Sequence, residues 1–235
     1  MTTPEPGLRE RAKARTRHRL ANVAAALFAE RGYENVSIVD IAAAAEVSDQ
    51  TVYNYFPAKQ DLVLDRAEEI RRRYGDVIRD RGDAVTPAGA LRVLVNEDID
   101  RFRSTDPALA RGEFPALCLA SPTLRRFALQ ARDEQVETVA AAIRDTHPTI
   151  VALVARAHAA ALIAIVQATT DAIGAAVLAG SPPGPAADTM QADAAAAFDE
   201  LDQLFRATAG RAAPAPRRSS PEPAGEPPAP RRRRK

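Results

Sequence analysis

Between Val36 and Pro57 the chain spells two helix starts, one tight turn and one hard stop. Ser37 is an N-cap residue type, and Asp40 three positions on completes a capping box. Val36 and Ile41 stand where a hydrophobic staple closes, which aims the incoming chain. This helix must be short, ending near Ala45, because Ser48 caps a further one over residues 49–56 and Pro57 terminates it. Upstream, residues 8–31 carry an apolar stripe of Leu20, Val23, Ala24, Leu27 and Phe28, and Gly32 follows where a helix C′ glycine belongs. Three helices with a tight turn between the second and third make a helix-turn-helix unit, read here over residues 37–56.

The same punctuation continues downstream. A long helix is expected over residues 59–81. Thr86-Pro87 opens one reaching about Ser104, and Asp106-Pro107 a short one. Ser121-Pro122 begins another, through Asp145. His147-Pro148 starts one that reaches about Ala179. The run 180–185 (GSPPGP) is a break, and Met190, Ala194, Ala197, Phe198, Leu201, Leu204 and Phe205 line a last amphipathic helix over 186–209. Heavy alanine use and the lack of β-branched runs favour helices throughout, so the fold class is all-α: a three-helix head and a larger helical domain. The division expected is 1–7 disordered, 8–58 head, 59–209 helical body, and 210–235 a disordered Pro/Arg-rich tail.

A net charge of +1 conceals segregation. Arg9, Arg11, Lys13, Arg15, Arg17 and Arg19 face a single acid, Glu10, and residues 211–235 hold eight bases against two acids. The body between is acidic, so a polyanion is the expected partner of the basic pole. The polar, basic first 19 residues have no apolar signal region, and the single cysteine, Cys118, fits a reducing interior. The most apolar stretch, 159–179, is interrupted by Gln167, Thr169, Thr170 and Asp171. It reads as a buried helix, with no membrane and a cytoplasmic location expected.

Residues 16–62 resemble the DNA-binding head of the TetR family. The likeness rests on Leu27-Phe28-Ala29-Glu30-Arg31-Gly32-Tyr33, Ile41-Ala42, Val47-Ser48, Thr51-Val52-Tyr53, Tyr55-Phe56 and Lys59-Gln60-Asp61-Leu62. It implies a two-fold dimer on a palindromic double-stranded DNA operator, with a ligand pocket in the second domain. Under it, Tyr53 and Lys59 hold phosphates, Ser37 and Arg17 add backbone contacts, and Gln50 and Asn54 read bases, since amides pair bidentately with adenine. Ser48, Asp49, Thr51 and Tyr55 complete the exposed face, with Val52 and Phe56 turned inward. One departure stands out: Glu46 occupies the turn position where the family often has glycine, and a positive φ there disfavours Glu.

Tyr74, Phe102, Phe114, Cys118 and Phe127 are the candidates for lining a cavity for a small apolar or amphipathic effector, although plain core packing gives the same pattern. No cofactor is expected, and no histidine has metal-ligand spacing with another His or Cys. Enzyme motifs are missing, which leaves a ligand-responsive repressor as the reading and an architectural DNA-binding protein without effector as the alternative. Helices 148–179 and 186–209 are the expected homodimer surface.

Overall fold

The computed structural model describes residues 7–64 and 67–212, and all regular structure among them is helical. The head is built from α1 (Leu8–Arg31), α2 (Ile38–Ala44) and α3 (Asp49–Tyr55). After them come α4 (Asp61–Leu64), α5 (Ala67–Arg79), α6 (Pro87–Ser104), α7 (Pro107–Ala110), α8 (Phe114–Ala120), α9 (Pro122–Thr146), α10 (Ala152–Ala179) and α11 (Pro183–Ala212).

Caps decide where these helices begin. The Ser37 hydroxyl accepts from the Asp40 N–H at 3.1 Å while the Asp40 carboxylate accepts from the Ser37 N–H at 2.7 Å, the reciprocal capping box. Single side-chain caps come from Ser48 to the Thr51 N–H, Thr86 to Gly89, Asp106 to Ala108 and Ser121 to Leu124. At the far end of α10, Gly180 takes φ +66°, and the Ser181 N–H reaches back to the Ala176 carbonyl at 2.9 Å.

Several boundaries differ from expectation, each for a local reason. The helix expected from residue 59 begins at Asp61, because the Ala58 N–H donates to the Asp61 carboxylate and the intervening residues turn. A helix at Phe114–Ala120 went unforeseen, since seven residues are too few to show a period. The helix expected from 148 starts at Ala152. Pro148 keeps His147 out of the helical region, at φ −138° and ψ 73°, and the Ile150 N–H closes a turn on the His147 carbonyl. The break at 180–185 is shorter than it looks: Pro183 and Pro185 lie in the first turn of α11, where a missing N–H costs nothing. That helix runs on to Ala212, so residues 210–212, assigned to the tail, are helical. Residues 1–6 and 213–235, the rest of the expected termini, lie outside the described residues.

Two apolar clusters hold the chain together. In the body, Ile78, Leu91, Ile99, Val139, Ile143, Ile163 and Phe198 are fully buried among α5, α6, α9, α10 and α11. Each such side chain contributes about 1.5–3 kcal/mol by leaving water. The head cluster of Leu20, Phe28, Val36, Ile41, Val52 and Phe56 does not stop at residue 58. It takes in Leu62, then Leu117, Cys118, Leu124 and Ala128 from α8 and α9. Head and body therefore share a core across their junction.

Two backbone approaches, one at that junction and one within the body, are tight. A β-carbon on Gly112 would lie 2.1 Å from the Ala25 carbonyl oxygen of α1, and one on Gly174 of α10 would lie 2.4 Å from that of Pro115. By length and composition α10 could cross a membrane. Here its Ala155, Ala159, Leu162, Ile163 and Val166 are buried in the body core, against α6, α8, α9 and α11.

Candidate nucleic-acid interface and ligand cavity

Helix α3 is anchored by one face and offers the other. Val52 and the following Phe56 are fully buried in the head cluster, which turns Gln50, Tyr53 and Asn54 outward, all exposed. Tyr53 keeps 46% of its surface accessible although it is a large aromatic, as suits a side chain awaiting a partner. The Gln50 amide donates to the Asn54 side-chain oxygen at 3.2 Å, one turn along, so the two amides already form a linked pair. Asp49 is exposed, and its carboxylate accepts from the Gln50 N–H at 2.8 Å. The Ser48 and Thr51 hydroxyls sit 2.8 Å apart at the start of α3.

Three of the expected backbone-contact residues are already engaged. Arg17 donates to the Tyr55 carbonyl at 2.6 Å and lies 4.3 Å from the centre of the Phe56 ring, so it fastens α1 to the end of α3. Half-buried Tyr55 packs against the head cluster rather than standing clear of it. Lys59 places its ammonium 4.2 Å from the centre of the Tyr33 ring, and burial lowers its pKa against the pull of Glu34. Burial also pushes the Tyr33 hydroxyl up to about 12. Ser37 spends its hydroxyl on the capping box but stays exposed at the N-terminus of α2. Along α1, Arg9, Arg11, Lys13, Arg15 and Arg19 are exposed, and a shallow groove between Arg9, Lys13, Thr16 and Tyr55 joins this basic stretch to α3.

The turn between α2 and α3 is a Schellman motif. The Val47 N–H reaches the Ala42 carbonyl at 3.0 Å and the Glu46 N–H reaches that of Ala43 at 3.2 Å, with Glu46 at φ +54°. Glu46 thus holds the left-handed position that glycine fills most easily.

Residues 20–65 match the family model for bacterial regulatory proteins of the tetR family. Over 103 residues the chain is 33% identical to the transcriptional regulator TcmR of Streptomyces glaucescens, covering 43% of this chain and 46% of that one. The transcriptional repressor KstR of Rhodococcus jostii is 28% identical over 152 residues, 63% of this chain and 69% of that protein. The head is a TetR-family DNA-binding domain. The chain spans less than two thirds of the length of the first curated relatives it matches, 46% for TcmR. Beyond the head, the TetR fold is seen in the likeness to SmeT, solved in complex with triclosan. That likeness has a TM-score of 0.59 at 18% identity and covers 81% of this chain and 91% of that one.

Behind this TetR-type head a cavity of about 500 Å³ lies where head meets body. Its wall takes Ala25 and Phe28 from α1, Ile70 and Tyr74 from α5, Leu94 and Phe102 from α6, Phe114 from α8, and Val166, Gln167 and Ile173 from α10. Tyr74, Phe102 and Phe114 were among the sequence candidates. Cys118 and Phe127 are not on the wall. Cys118 is 2% exposed inside the head cluster, where burial pushes its thiol up to about 12. Phe127 is half-buried beside Ala128, which does line the cavity; one residue along a helix is a 100° turn away. Phe28, Leu94, Gln167 and Ile173 went unforeseen. A wall drawn from so many helices leaves no local spacing to read.

Proposed function

We propose that this chain is a ligand-responsive transcriptional repressor that binds a palindromic operator as a dimer. The observation that carries the reading is the outward set of Gln50, Tyr53 and Asn54 on a helix whose other face is buried in the head. Amides at that spacing suit adenine edges in the major groove, and Tyr53 with the basic face of α1 suits phosphates. TcmR and KstR are named as a transcriptional regulator and repressor, which supports the same assignment. The partners are therefore double-stranded DNA and a second copy, and the place of action is the cytoplasm, on the nucleoid.

The homodimer surface is assigned to α10 and α11. Small side chains are exposed on both helices, Ala157, Ala168 and Ala175 on α10 and Ala192 and Ala196 on α11, with the apolar Leu204 beside them, so a two-fold mate can approach closely there. The effector site is assigned to the cavity between head and body. An apolar or amphipathic molecule there touches α1 directly, so its binding favours one placement of the head over another and shifts operator affinity.

Selection from random duplex DNA at about 150 mM salt tests the reading. A palindrome with half-sites about one helical turn apart is expected. Gln50→Ala and Asn54→Ala should each weaken the selected site by about 1–3 kcal/mol with little change in salt dependence. A pool without any enriched sequence would overturn the reading.

A further inference from the structure

Resting on the reading of the cavity as an effector site, its charges can be sorted by who already partners whom. Arg101 pairs with Asp98, and both reach the wall. Arg73, also on the wall, pairs with Glu97 just outside it. Glu113 is the remaining acid. It stands at the N-cap of α8 yet makes no cap bond, and no hydrogen bond or ion pair joins its carboxylate to any described residue. Glu113 is exposed to solvent at the cavity wall. With Arg73 and Arg101 so engaged, Glu113 is the acid of the described wall that no hydrogen bond or ion pair holds. Beside it the aromatic faces of Tyr74, Phe102 and Phe114 supply the wall, and rings of this kind attract cations.

We propose that the effector of this protein is a lipophilic cation, an amine or other onium group on an apolar body, with its charge against Glu113 and its apolar part among the cavity's aromatic side chains. An anionic amphiphile meets the opposite situation: both arginines are already neutralised, and the free group repels it. The crowding that draws Glu113 away from water raises its carboxyl above the usual range, with Arg101 opposing. The same group therefore stands ready to gain from a cationic partner.

Two ions of nearly equal size and opposite charge, tetraphenylphosphonium and tetraphenylborate, test this on the full-length protein by calorimetric titration. The phosphonium should bind at one site per chain with a Kd at least about tenfold below that of the borate. Glu113→Gln should weaken the phosphonium by about tenfold or more and abolish the preference. Arg101→Gln removes the positive charge that opposes Glu113 and should tighten it. This opposite sign keeps the test decisive if Glu113→Gln fails to fold, which a thermal melt shows. Equal or stronger borate binding, no binding of either ion up to about 1 mM, or unchanged phosphonium affinity in Glu113→Gln would overturn the proposal. Operator selection on the same protein separates the two claims. A palindrome recovered alongside borate preference removes the cation and leaves the regulator, whereas cation binding without any selected operator removes the regulator alone.

Discussion

The Ser121 hydroxyl donates a 2.6 Å hydrogen bond to the Glu34 carboxylate, 87 positions away, while the same oxygen accepts from the Leu124 N–H at 3.2 Å. One buried side chain therefore caps α9 of the body and latches the loop between α1 and α2 of the head. This bond, helped by Thr123 and Lys59, holds the Glu34 carboxyl below its ordinary value.

Removing that hydroxyl tests the latch. Ser121→Ala should cost about 1 kcal/mol for the lost cap, with a further cost from the latch itself. Because the folded-state pKa of Glu34 is depressed, its contribution is present above the ordinary carboxylate value and is lost as pH falls through the lowered one. The stability gap between wild type and variant, from urea titrations, should therefore narrow between about pH 7 and pH 3. A gap that stays constant would mean the bond adds nothing beyond the cap.

The two close backbone approaches predict unequal failures. Neither Gly112 nor Gly174 can take a β-carbon without moving a carbonyl, so Gly112→Ala and Gly174→Ala should each lose about 1–3 kcal/mol. Gly112 meets α1 of the head, whereas Gly174 meets Pro115 within the body. Gly112→Ala should therefore also change protease sensitivity around the head, and Gly174→Ala should not. Wild-type stability in both variants would show that the helices slide freely.

Glu46 offers the reverse experiment. At φ +54° an L side chain is strained, so Glu46→Gly should raise stability by about 0.5–1 kcal/mol, whereas Glu46→Ala should give no gain. Differential scanning calorimetry reads this as a rise of about 1–4 °C in Tm for Glu46→Gly alone. An equal rise in both variants would assign the effect to lost charge rather than to φ.

A pH dependence near neutrality should come from two histidines. His147 Nδ1 lies 3.1 Å from a guanidinium nitrogen of Arg81, which can only donate, so this imidazole nitrogen is the acceptor and the ring is neutral. Phe205 meets both His147 and His158 at near-right angles, 5.0 and 5.4 Å between ring centres. Burial lowers the pKa of both, and Arg81 adds to the effect at His147. With the folded values below the unfolded value of 6.5, stability is intact above 6.5 and declines as pH falls through the lowered values. Tm should drop between about pH 7.5 and pH 5, and the His147→Asn, His158→Asn double variant should lose most of that slope. An identical slope in the variant would place the titration elsewhere.

The sequence alone determined what is local. The capping box of Ser37 and Asp40, the Ser48 cap, the stop at Pro57 and the helices opened by Thr86-Pro87 and Ser121-Pro122 each lie within one turn of the residues that cause them. The apolar spacing also showed which side of α3 is buried, because Val52 and Phe56 share a helical face. The tertiary structure decided what depends on distant partners. It turned Arg17 and Lys59 onto Phe56 and Tyr33, carried the head core into α8 and α9, and put Cys118 there rather than on the cavity wall. Among the described residues of the cavity it also joined Arg73 of α5 to Glu97 of α6 and left Glu113 without an ion pair, which no spacing along the chain encodes. Caps and periods are set by neighbours a few bonds away. A cavity is the space left by several helices at once, and its charge is what remains after they have found each other.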